Sequence, residues 1–135
     1  MRWGKVFLGG IVGGIVMWLV DFVQHGVIMA DTYMSYPEVF NQAENPNAPW
    51  WFLLVEVCIA IAAAMLFVKT RGSWAAGVSG GLTFGFFLGL VGFFPNFFHP
   101  LTIDGFPYYL AWCWGGMTMI ASLVLGAVLG LIVKA

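Results

Sequence analysis

Four stretches of this chain run close to the length of a bilayer with almost no charged side chain. Residues 6–20 are free of Asp, Glu, Lys and Arg, and the apolar run continues past Asp21 to about Met29. Residues 45–68 carry only Glu56, and residues 72–103 and 105–133 carry none. About 20 mainly apolar residues make a helix that crosses the hydrocarbon core. Only structures that satisfy their own backbone groups can span it. The pattern predicts an all-α, polytopic membrane protein with a single four-helix domain. Its helices fall at about 5–30, 50–69, 73–95 and 108–133. External loops fall at 31–49 and 96–107, and a tight turn at 70–72.

Composition closes the alternatives. The chain is 61% hydrophobic and 8% charged, against roughly 25% charged in an ordinary soluble domain. So few charges cannot cover a water-soluble surface. Five basic residues cannot form a phosphate-tracking stripe, which argues against nucleic acid as a partner.

The loops fit this frame. Pro37, Asn41, Asn45, Pro46, Asn47 and Pro49 mark the first as open backbone. Pro95, Asn96, Pro100, Asp104, Gly105 and Pro107 mark the last. Arg2, Lys5, Lys69, Arg71 and Lys134 all fall on one side of a four-span arrangement, and Asp31, Glu38, Glu44 and Asp104 on the other. The positive-inside rule then places both termini in the cytoplasm of a cell with an inner membrane. Trp50, Trp51, Tyr108, Tyr109 and Trp112 fall at the outer interface, and Trp3 and Trp74 at the inner one. Ile28-Met29-Ala30 is a poor cleavage site, so the first helix is read as retained.

Small residues recur every four positions. Gly9 and Gly13 pair on the first helix, as do Gly10 and Gly14. Gly77, Gly81, Gly85 and Gly89 form a stripe on the third. Ser122, Gly126 and Gly130 form one on the fourth, while Ala60, Ala63 and Ala64 serve the second. In lipid such faces let helix backbones approach closely. Most are expected to be internal seams, with at least one in excess and open to self-association. Each half of the chain has a glycine-rich outward helix, a Pro-containing loop and a return helix, a faint sign of duplication.

Ionisable residues within spans are functional candidates by default. They are Asp21, His25 and Glu56, with His99 at the rim of the third helix. Asp21 and His25 lie four apart and share a helix face. Glu56 lies roughly 9 Å, and Asp21 roughly 12 Å, from the outer ends of their helices, so the cluster is expected in the outer half. A structural polar cluster is the first reading. A haem b or a metal ion held by His25 and His99 is the second. A proton or ion site at Asp21 and Glu56, working in an oligomeric transporter or channel, is the third. Cys58 and Cys113 lack C-x-x-C spacing and are read as packing residues. No nucleotide, nucleophile-elbow or zinc-protease motif is present, so no catalytic residue is assigned and no cofactor is expected as resident.

The stretch Trp18-Leu19-Val20-Asp21-Phe22-Val23-Gln24-His25-Gly26-Val27, followed by Asp31-Thr32-Tyr33, resembles small four-helix bacterial inner-membrane proteins. So does the ending Gly126-Ala127-Val128-Leu129-Gly130-Leu131-Ile132-Val133-Lys134. The resemblance implies the four-span architecture and a joint role for Asp21, His25 and Gly26. The expected function is that of a non-catalytic accessory or structural subunit, in contact with lipid and with other membrane subunits or copies of itself.

Overall fold

The computed structural model describes residues 2–40 and 48–133. Residues 41–47, with Glu44 and much of the first external loop, lie outside the described residues, as does Lys134. The elements are α1 (Trp3–Asp21), a π-helical segment (Phe22–Ile28), α2 (Ala30–Met34), α3 (Ala48–Lys69), α4 (Gly77–Phe93), α5 (Phe98–Thr102) and α6 (Tyr108–Ile132). There is no strand among the described residues. Trp3–Ile28, Ala48–Lys69, Gly77–Thr102 and Tyr108–Ile132 are each long and apolar enough to cross a membrane.

Two boundaries differ from the sequence expectation. The third span continues through a 3-10 turn at Phe94–Phe97 into α5, where a loop was expected from residue 96. Pro95 sits early in that turn, where its missing N–H costs little. The Asn96 side-chain amide donates to the Gly92 carbonyl at 2.9 Å and to that of Phe93 at 3.1 Å, so the carbonyls of the broken ladder keep partners. At its other end this span begins at Gly77 instead of 73. A guanidinium shapes the turn before it, because Arg71 donates to the carbonyls of Trp74 and Ala75, each at 3.1 Å. The Trp74 indole N–H donates to the Thr70 hydroxyl at 2.7 Å. Gly77 then opens α4 with φ +71°, a backbone state that glycine reaches without strain.

The helices pack in the order α3–α1–α6–α4, with α3 scarcely touching α6. The small-residue stripes make these seams. A Cβ on Gly10 or Gly14 would stand 2.7 and 2.6 Å from the Cα atoms of Ile61 and Val57 on α3. Gly9 and Gly13 receive Val133, Leu129 and Leu125 from α6. Gly81 and Gly85 meet the backbone of Gly126 and Ser122, Gly89 meets Met119, and Gly130 meets the Gly77 carbonyl. All the stripes therefore lie against neighbours within the chain. Between α3 and α4, which a tight turn joins, the gap is filled by rings: Phe67 and Phe84 lie 5.1 Å apart and Trp74 stands 5.6 Å from Phe84.

The large side chains point the other way. Val91, Leu101, Phe52 and Trp50 are among many bulky apolar residues left exposed, far more than a soluble monomer presents. Small residues inside and large ones outside is the arrangement expected where the surroundings are lipid tails.

Gly126→Leu is expected to destabilise the α4–α6 seam by about 1–3 kcal/mol or more, since a Cβ there would clash with the Gly81 carbonyl. Gly116→Leu, where nothing lies within 4 Å, is expected to change stability by less than about 0.5 kcal/mol. Thermal unfolding of both variants in detergent checks the contrast.

Candidate functional site

The ends of the spans that carry Asp31, Glu38 and Asp104 lie opposite those that carry Arg2, Lys5, Lys69 and Arg71. Near this acidic end α1 gives way to the π segment, confirmed by the Met29 N–H bonding to the Gln24 carbonyl five residues back at 3.1 Å. π turns are rare and frequent at functional sites. Here the segment carries Gln24, His25 and Gly26. The entry to α3 is fixed beside it, because the Trp18 indole donates to the Pro49 carbonyl at 3.0 Å and stacks on Trp50.

Across the α1–α3 seam the carboxyls of Asp21 and Glu56 are neighbours. Glu56 is 8% exposed and its Oε2 has no hydrogen-bond partner among the described residues. Gln24, also 8% exposed, leaves its Oε1 unpartnered in the same way.

From His25 the network turns toward the loops. Its Nδ1 hydrogen-bonds the Tyr33 hydroxyl, and the two rings stack at 5.9 Å. The Trp114 indole N–H donates to the same hydroxyl at 2.7 Å. Tyr33 is 4% exposed, and burial pushes its phenol up to about 12 against the opposing pull of the Trp114 hydrogen bond. Phe40 and Phe106 close over it, 4.9 Å from Tyr33 and 5.2 Å from Trp114 respectively.

The four ionisable residues singled out from the sequence do not form one cluster. Asp21 neighbours Glu56 across the α1–α3 seam, while His25 hydrogen-bonds Tyr33. His99 lies in α5, half-buried instead of in a loop, and reaches only the aromatic end, packing on Trp114 at 5.1 Å and Phe106 at 5.5 Å. His25 meets the same indole at 6.1 Å. The two imidazoles thus converge on Trp114, and the rings of Trp114, Phe40 and Phe106 occupy the space beside them. That packing does not fit a haem macrocycle clasped by both. Among the described residues no group of three His, Cys, Asp or Glu is arranged to hold a metal ion. Cys58 is exposed, Cys113 is half-buried, and both are free thiols.

Tyr33, Trp114 and Gln24 were missed from the sequence. Tyr33 lies eight residues after His25, two helical turns on, and that spacing was its only signal. Trp114 carried none, since one more Trp near an interface reads as part of the aromatic belt.

Toward the basic end the interior is closed. Val6, Ala60, Ala64, Phe67, Leu125 and Leu129 are fully buried there. Among the described residues the buried polar side chains are Gln24, Glu56 and Ser122. The polar network therefore opens toward one end only. Comparison with protein families, curated proteins and solved structures yields no match.

Tyr33→Phe removes a hydroxyl that hydrogen-bonds both His25 Nδ1 and the Trp114 indole and is expected to cost about 1–3 kcal/mol. The pH dependence has a definite sign. The folded phenol ionises above its ordinary 10.0, near 12, so its contribution is intact below pH 10 and is lost as pH rises toward 12. Thermal unfolding across that alkaline range should show the loss in the native chain, and Tyr33→Phe should remove that part of it.

Proposed function

We propose that this chain is a non-catalytic accessory subunit of a larger assembly in a bacterial cytoplasmic membrane, with both termini in the cytoplasm. The observation that carries the reading is the asymmetry of the bundle. Groups able to do chemistry gather at one end, while the other half is a closed apolar core. Among the described residues a single copy offers no polar track from side to side, which speaks against a conduit built from one chain. Among the described residues no nucleophile, base and oxyanion site stand together as hydrolysis or transfer would need.

The exposed surface supports a life among other membrane components. The glycine stripes are consumed by internal seams, so a partner meets large side chains. Trp50, Trp51, Tyr108 and Trp112 are all exposed near the acidic end. Side chains of this kind contribute most at interfaces and also sit well at the headgroup level.

Native mass measured after gentle extraction from the source membrane tests the proposal. The expected result is a species well above a few copies of the 14.8 kDa chain, with other proteins in it. A homo-oligomer or monomer with no co-migrating chain overturns it. Reporter fusions at the two termini check the orientation, and both are expected to report the cytoplasm.

A further inference from the structure

At the acidic end the chain that leaves the first span folds back on the bundle as a strap. Residues 30–40 form α2 and then turns, in which the Tyr36 N–H bonds to the Tyr33 carbonyl and the N–H groups of Val39 and Phe40 to that of Tyr36. The strap is fastened to the start of α6 and to the loop before it. Tyr33 packs edge-on against Trp114, Phe40 packs against Phe106, and the Tyr36 and Tyr109 hydroxyls meet at 3.3 Å. A further fastening runs to the first span, where the Tyr33 hydroxyl bonds to His25. Of these contacts, that one alone contains a group whose charge changes near neutral pH.

The direction of that bond follows from its neighbour. An indole N–H can only donate, so Trp114 donates to the Tyr33 oxygen at 2.7 Å. The phenol proton then goes to His25 Nδ1. This relay from Trp114 through Tyr33 to His25 requires a neutral imidazole with its proton on Nε2. Protonation turns Nδ1 from acceptor into donor. Two N–H groups then face one phenol oxygen, and its own proton is left among the rings of Phe40 and Trp114. Tyr33 is buried, so water does not take up the stranded proton. The titratable groups around His25 come from every element packed there. Asp21 is four residues back on its own helix, with Glu56 of α3 beside it. Asp31 and Tyr33 belong to α2, Cys113 precedes Trp114 on α6, and His99 of α5 packs on the same indole. Asp21 is the carboxylate one turn away, and a charged partner holds an imidazolium better than a phenol does.

The geometry points to a pH-sensitive latch: neutral His25 holds the strap of residues 30–40 closed through Tyr33, and protonated His25 turns to Asp21 and releases it. One proton is taken up from the medium, and a hydrogen bond between elements is exchanged for an ion pair within one helix. What then holds the strap is ring packing and the hydroxyl pair of Tyr36 and Tyr109. Release unseats Tyr33 and Phe40 and uncovers Trp114 and Phe106, so a charge change at one side chain alters the surface that the acidic end presents. Which compartment's pH the latch reads rests on the orientation proposed above. The latch itself does not, because it is measured on the isolated chain.

The test is amide hydrogen exchange of the full chain in detergent from about pH 8 to about pH 5, the range in which an imidazole changes charge. Each rate is divided by that of an unstructured amide at the same pH. Protection at the Tyr33, Ser35, Tyr36 and Phe40 amides, all hydrogen-bonded in the closed strap, is expected to fall at least about tenfold on acidification, the scale of one buried hydrogen bond. Leu125 and Leu129 in the core of α6 are expected to keep theirs. His25→Gln, whose side-chain carbonyl accepts from Tyr33 but takes up no proton, is expected to hold the strap's protection flat across the range. Asp21→Asn is expected to keep more of it at about pH 5, since the imidazolium loses its alternative partner. Circular dichroism establishes that each variant is folded. If His25→Gln does not fold, Tyr33→Phe decides, with low strap protection expected at both ends of the range. Protection that does not change with pH in the native chain overturns the proposal. So does an acid-induced loss that persists undiminished in His25→Gln or Tyr33→Phe.

Discussion

Everything in this structure rests on the close approach of backbones along the α4–α6 seam. In lipid, neighbouring tails are as apolar as a leucine, so burial from water does not draw helices together. Attraction must come from dispersion across surfaces that fit, and dispersion decays within a fraction of an ångström of a gap. Gly81, Gly85 and Gly126 leave no side chain at the contact, and backbone meets backbone. Any side chain there forces the helices apart along their whole length. The same device, one layer over, sets α1 onto α3 through Gly10 and Gly14. Leu125 and Leu129 of α6 then fill the space that Gly13 and Gly9 leave.

This division of labour explains where the polar groups are. The basic half is packed by small residues and a few interlocked side chains, with no volume left for a polar network. Toward the acidic end the stripes run out: Met17 and Asp21 follow Gly13 along α1, and Glu56 follows Ala60 along α3. The seam opens there, and side chains with polar ends occupy it. The π segment adds to this by turning Gln24 and His25 off the α-helical register, which brings His25 to Tyr33 and hence to Trp114. The pair of prolines in the third span acts in the same region from the other side. Pro95 lies in the 3-10 turn and Pro100 in α5, and His99 between them joins the aromatic layer at Trp114 and Phe106.

The four spans were legible because they depend only on uninterrupted apolar length, which no tertiary contact can disguise. The glycine faces were legible as packing faces because a four-residue period is a local property. Which neighbour each would meet was not, since partner choice depends on the order of helices around the bundle. The third span was placed too short at its loop end for a related reason. Pro95 and Pro100 read as terminators, and the side-chain amide of Asn96 that holds the turn acts through space. Within the site, Asp21 and His25 were readable from their spacing, and counting depth along two antiparallel helices brought Glu56 to the level of Asp21. Tyr33, Trp114 and Gln24 were not readable. Tyr33 and Trp114 matter through pairings across 81 residues of chain, and Gln24 through burial that only the packed bundle creates.

Carboxyl groups are expensive in a membrane, and two in contact are more so than one. Register alone is a weak reason to keep them, since a buried ionic contact is often replaceable by apolar packing of similar volume at no loss. The seam already has its register from Gly10, Gly14 and Ala60, which lock α1 to α3 without any polar group. The acid pair is therefore redundant as a clamp. Glu56 also keeps one oxygen buried without a partner among the described residues, which lowers stability further.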